Sequence, residues 1–131
     1  MVNHLAVLVA ALVAFLLGFL WYGPLFGEIW MKLSGASKKK PKKKDLVLRS
    51  LGGLISYIVM AYMLMIILSF IGMDNWIVAL TFGFFIWLGF IGTITFGNFL
   101  WERKPFSLWL LNNAYNLIAL EIMAVILTVW V

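Results

Sequence analysis

The chain has 131 residues, 65% of them hydrophobic and 11% charged, where a soluble domain carries roughly 45–50% and about 25%; lipid must cover the surplus. The absence of cysteine excludes disulfides, zinc–thiolate sites, iron–sulfur clusters and cysteine nucleophiles, and a lone histidine excludes a multi-histidine metal centre within one chain. The net charge of +5 gathers largely in one lysine-rich stretch, which points to anionic lipid headgroups and not to nucleic acid.

The first apolar run extends from about Leu5 to Tyr22 without a charge and is stopped by Gly23-Pro24. A run of about 18–20 apolar residues is long enough to cross a membrane, so a span is predicted over about 5–23. Met1-Val2-Asn3-His4 lacks the positive charge of a cleaved signal. Ala6, Ala10, Ala14 and Gly18 recur every fourth residue and mark a close-packing face. The connection 25–46 opens with Phe26, Ile29, Trp30 and Leu33 at helical spacing and with Glu28 and Lys32 placed to pair. That pattern predicts a short amphipathic helix in the interface. Ser34 to Ser37 reads as a connector. Lys38, Lys39, Lys40, Lys42, Lys43 and Lys44 around Pro41 read as a polybasic segment in contact with headgroups.

Asp45 is placed to cap a second span over about 47–71, with Arg49 able to snorkel from its start and Gly52 and Ser56 forming another small-residue face. Gly72-Met73-Asp74-Asn75 predicts a tight antiparallel hairpin with a third span over about 76–100. There Gly89, Thr93 and Gly97 again lie four apart. Trp101 to Pro105 forms the next turn, and Ser107 is placed to cap a fourth span over about 107–130. The predicted fold is an all-α integral membrane protein: a four-transmembrane-helix bundle in one membrane domain, with a short interfacial helix after the first span.

All ten lysines and arginines fall in the first and third connections or at their flanks. The positive-inside bias therefore puts loops 25–46 and 101–106 in the cytoplasm and both termini outside, in a cell membrane. Six of the tryptophans, Trp21, Trp30, Trp76, Trp101, Trp109 and Trp130, fall near predicted boundaries and read as interfacial anchors, while Trp87 lies mid-span. A weak echo relates Leu17-Gly18-Phe19-Leu20 to Leu88-Gly89-Phe90-Ile91.

Three stretches carry a resemblance to a known family. They are Trp21-Tyr22-Gly23-Pro24-Leu25-Phe26 with Trp30-Met31, then Gly83-Phe84-Phe85-Ile86-Trp87-Leu88-Gly89-Phe90, and Leu108-Trp109-Leu110-Leu111-Asn112-Asn113-Ala114-Tyr115. In these the chain resembles the small four-span prokaryotic membrane proteins catalogued as domain of unknown function 1761. The likeness covers nearly the whole chain except the lysine-rich stretch. It implies the four-span fold and no reaction, substrate or partner.

Glu121 stands out because it lies about 13 Å inside Trp130 and about 21 Å from Ser107 at about 1.5 Å per residue. An acid near the bilayer centre costs about 2.5–3.5 kcal/mol or more, so it must face protein or water. It reads either as a proton- or cation-binding carboxyl or as interhelical hydrogen-bonding glue. Asn112, Asn113 and Asn116 lie closer to the cytoplasmic end of the same span, and at about 100° per residue they share with Glu121 and Thr128 one half of the helix. Asn98, Thr95 and Thr93 are their expected neighbours across the Arg103 turn. His4, Asp74 and Asn75 fall at the outer end, where they read either as helix-end residues that are polar by default or, with Glu121, as an external metal or proton site. Tyr57 is expected to face the bundle more than Tyr62.

No Ser-His-Asp set, phosphate-binding glycine loop or neighbouring pair of carboxylates is present, so neither catalysis nor a cofactor is expected. The expected role is a structural or accessory subunit acting through helix association, in a homo-oligomer or a larger membrane complex. The alternative is a small oligomeric channel or transporter for protons, cations or a small solute, using Glu121 and the asparagine cluster.

Overall fold

Four helices in the computed structural model are long and apolar enough to cross a membrane: His4–Leu25, Lys43–Ile71, Trp76–Glu102 and Phe106–Val129. The structure describes residues 3–35, 42–72 and 74–130. Helix α1 (His4–Leu20) starts at Asn3, whose side chain accepts the Ala6 N–H at 3.1 Å. It runs on into one wide π-helical turn, Trp21–Leu25, where Gly23 leaves helical dihedrals (φ −107°, ψ −106°) just before Pro24. Pro24 has no N–H to give, so the chain loosens and then turns away. Helix α2 (Gly27–Ser34) ends on Gly35 in the left-handed region, at φ 73°.

Helix α3 (Lys43–Ile71) ends on Gly72, also left-handed at φ 72°. After the turn, Asn75 caps α4 (Trp76–Ile86) by accepting the Ile77 N–H at 2.8 Å. The third span widens into a second π-helical stretch, Trp87–Gly92, and continues as α5 (Thr93–Glu102). Arg103 closes it in the left-handed region (φ 56°) and Pro105 precedes α6 (Phe106–Val129).

Helix α6 is the axis of the bundle. It packs against α1, α2, α3, α4 and α5 in turn, while α1 also packs along α3. Of the four spans it is the least hydropathic and has the largest share of its residues buried. The core joins fully buried Ala6, Val7, Ala10, Ala11 and Ala14 of α1 to Ala119, Met123 and Ala124 of α6, with Ala61, Leu64, Met65 and Leu68 from α3 and Ala79 from α4. At one end Asn3 Nδ2 donates to the Trp130 carbonyl at 3.2 Å, and His4 Nδ1 and the Tyr62 hydroxyl are 2.7 Å apart. At the other, Lys104 Nζ donates to the Ser34 carbonyl at 2.8 Å.

The predicted spans and the short helix after the first are all present. Several local expectations are corrected. Helix α3 starts at Lys43, a turn earlier than predicted, and Asp45 sits inside its first turn, where it favours the helix dipole, instead of capping it. Pro105, not Ser107, precedes α6. Among the described residues no ion pair joins Glu28 to Lys32, and Ile29 is half-exposed while Met31 takes a place beside Trp30 on the inner side of α2. The predicted α3–α4 hairpin has its tight turn, but the two helices diverge from it and each packs on α6. Lys38, Lys39, Lys40 and Pro41 lie outside the described residues.

The small-residue faces are used differently. Ala6, Ala10 and Ala14 are spent inside the chain. A Cβ on Gly89 or Gly97 would meet nothing within 4 Å, and Thr93 is exposed, so that stripe points outward. Ala10→Leu should therefore overpack the α1 seam and cost about 1–3 kcal/mol, seen as a lower unfolding midpoint in mixed micelles. Gly97→Ala should not lower it.

Candidate functional site on the fourth span

The polar groups of α6 reach three different neighbours. Nearest the lysine-rich end, Asn113 is only 2% exposed, and its Nδ2 donates to the Trp109 carbonyl at 3.0 Å. The Thr95 hydroxyl lies 3.0 Å from Asn113 Oδ1 and 2.7 Å from the Ile91 carbonyl, and accepts from Trp109 Nε1 at 3.2 Å. One proton on that hydroxyl serves either acceptor in turn. Asn112 faces the first span instead, where its Oδ1 accepts from the Tyr22 hydroxyl at 2.7 Å. Between α5 and α6 a cleft of about 140 Å³ opens beside Asn112 and Asn113, and Asn98, Glu102 and Lys104 line it.

The wide turn Trp21–Leu25 makes the Tyr22–Asn112 contact possible. It aims Trp21 and Tyr22 at α6, so that Trp21 Nε1 donates to the Leu111 carbonyl at 3.2 Å. Tyr115 reaches the opposite way and donates to the Ala14 carbonyl at 2.7 Å. Its hydroxyl fits only because residue 18 is glycine, since a Cβ there would sit 2.9 Å from it. Tyr22 and Tyr57 meet the Tyr115 ring edge-on at 5.4 and 6.3 Å. Tyr57 thus faces the bundle as expected, and Tyr62 spends its hydroxyl on His4.

Asn116 faces a separate cavity of about 210 Å³ lined by Tyr57, Met60, Ile91 and Ala119. It makes no hydrogen bond among the described residues. Thr128 turns its hydroxyl back to the Ala124 carbonyl at 2.8 Å.

Glu121 joins none of these groups. Its Oε1 is buried against Gly83 of α4 with no hydrogen-bond partner, in space that a Cβ at residue 83 would fill. The residue as a whole is partly buried and lines an apolar groove of about 460 Å³ with Leu80, Leu117, Ile118, Ile122, Val125 and Ile126. Trp87 Nε1 is the other buried side-chain atom without a partner among the described residues.

The asparagine cluster with Thr95 is thus brought together, with Asn98 at its mouth. Glu121 and Asn116 are held apart from it, and Thr93 only bonds back to Gly89. His4 and Asn75 are engaged locally, at Tyr62 and the α4 cap. No group of three His, Asp or Glu side chains that could hold a metal occurs among the described residues. Lys42, Lys43 and Lys44 are exposed at the start of α3. Sequence reasoning missed Trp21, Tyr22, Tyr115 and Gly83. The signal for Tyr115 was its hydroxyl, which needs a partner wherever lipid surrounds it.

Three span-length helices bundled around a fourth that hides hydrogen-bonded polar groups define a four-span membrane protein. The chain belongs to the family described as protein of unknown function (DUF1761), which matches residues 5–128. No curated protein and no solved structure matches it.

Asn113→Ala should cost about 1–3 kcal/mol by stripping partners from Thr95 and Trp109. Thr128→Val, which removes only a bond within its own helix, should stay within about 0.5 kcal/mol; denaturation of both variants in mixed micelles checks the contrast.

Proposed function

We propose that this protein acts through association in the membrane, as a structural or accessory component that pairs with a second copy of itself across the α4–α6 groove. The observation that carries this reading is Glu121, a partly buried carboxyl lining an apolar groove with one oxygen buried and unpartnered. At this depth an uncovered acid costs about 2.5–3.5 kcal/mol or more. A covering helix that supplies a hydrogen bond recovers about 1–2 kcal/mol of it.

A second copy suits the groove because a two-fold interface brings each residue near its own counterpart. Oε1 is sealed against Gly83, so across such an interface the other carboxyl oxygen of each Glu121 is the one within reach of its counterpart. The outward Gly89–Thr93–Gly97 stripe leaves a further face for neighbours in a larger complex. In this reading the chain performs no catalysis. Its lysine-rich end lies in the cytoplasm, both termini lie outside, and Lys38, Lys39, Lys40, Lys42, Lys43 and Lys44 rest among anionic headgroups.

The transport alternative needs Glu121 and the asparagines on one hydrated path, and they occupy different faces, with Asn112 and Asn113 already paired to Tyr22 and Thr95. The test is the oligomeric state in mild detergent and, by energy transfer, in bilayers. The wild type and Glu121→Gln, which keeps a donor and an acceptor, should be dimeric. Glu121→Leu should be monomeric. A wild-type monomer, or a Glu121→Leu dimer as stable as wild type, overturns the proposal. A proton flux in proteoliposomes that Glu121→Gln abolishes would establish the transport reading in its place.

A further inference from the structure

At the lysine-rich end, on the side of the bundle away from the Glu121 groove, α1 and α3 separate around a groove of about 370 Å³. Gly18, Gly53 and the wide turn at Gly23 keep it open: a Cβ on Gly53 would lie 3.6 Å from the Phe15 ring, across the gap. Along α3 the lining runs Arg49, Ser50, Gly53, Tyr57 from the lysine-rich end inward, and Phe15 and Phe19, packed edge-on at 4.9 Å, form the facing wall. The groove is therefore polar at one end and apolar below it.

Its electrostatics are one-sided. Arg49 is the one charged residue in the lining, no acid shares it, and Arg49 makes no ion pair or hydrogen bond among the described residues. Depth matters as much as charge. Arg49 lies 22 residues before Ile71, about 33 Å along the helix at about 1.5 Å per residue, which places it at the edge of a hydrocarbon core about 30 Å thick. That is the level of phosphates and glycerol esters. A guanidinium presents two parallel N–H groups that fit a phosphate, and the serine hydroxyl beside it adds a donor.

We propose that this groove is a binding site for one anionic glycerophospholipid of the leaflet at the lysine-rich end. The phosphate sits on Arg49 and Ser50, and an acyl chain descends past Gly53 between Phe15, Phe19 and Tyr57. The exposed Lys42, Lys43 and Lys44, one to two turns above, concentrate anionic lipid near the mouth without taking part in the site.

The test is native mass spectrometry of the full chain, stripped of lipid in neutral detergent and titrated with phosphatidylglycerol, with phosphatidylcholine of the same chains, and with inorganic phosphate. One phosphatidylglycerol should be retained, roughly five- to tenfold better than phosphatidylcholine. Arg49→Gln should erase that preference by lowering phosphatidylglycerol to the phosphatidylcholine level. Gly53→Leu, which fills the apolar wall, should lower retention of both. Replacing Lys42, Lys43 and Lys44 together by glutamine should leave the bound lipid in place. Equal retention of the two lipids, undiminished phosphatidylglycerol binding by Arg49→Gln, loss of it in the lysine variant, or displacement by inorganic phosphate, which would mark a site for a free anion, each overturns the proposal.

Discussion

Inside a bilayer a polar side chain has no water to fall back on, so every hydroxyl, amide and carboxyl must find its partner in protein. Helix α6 carries more of those groups than any other span, and its central position follows from that. Surrounding it with the other spans puts Asn112 against Tyr22, Asn113 against Thr95 and Tyr115 against the Ala14 carbonyl. The alanine seam of α1 follows from the same demand. Only small side chains let α1 come close enough for a tyrosine on α6 to reach its backbone.

The two π-helical stretches and the glycines beside them are how the apolar spans adapt to this axis. An extra residue per turn changes which side chains face inward. After Trp21–Leu25 this delivers an indole and a phenol to α6. At Trp87–Gly92 it seats the Trp87 ring over residue 92, where a Cβ would stand 3.3 Å from the Trp87 carbonyl. Gly18 and Gly83 make room for single polar atoms, a tyrosine hydroxyl and a carboxyl oxygen, and not for a passing helix backbone.

This separates what was legible in the sequence from what was not. Spans, turns and the short helix after the first span could be read because length and hydropathy decide them locally. The cluster of Asn112, Asn113 and Thr95 could be read because the helical wheel and a short turn place those residues together. The partners of Glu121 and Tyr115 could not. They depend on which helix lies beside α6, and a stripe such as Ala6–Gly18 looks the same whether it packs within a chain or between chains. The hairpin expectation for α3 and α4 failed for the same reason: a short turn fixes proximity at one end, while α3 packs along α1 and α4 along α6.

The unanswered polar groups then define the surface. Glu121 is an acid without a donor and Arg49 a base without an anion. Here Glu121 lies eight residues inside Val129 and Arg49 lies 22 residues from Ile71, so they differ in depth by about 20 Å along the helix axes. Helix α6 cannot slide that far without unpairing the cluster around Asn113, nor α3 without losing its packing along α1. Each is left to be met from the side, the carboxyl by a partner helix at mid-depth and the guanidinium by a phosphate at the membrane edge. The same rigidity that satisfies the interior of the bundle leaves these two groups to be met from outside it.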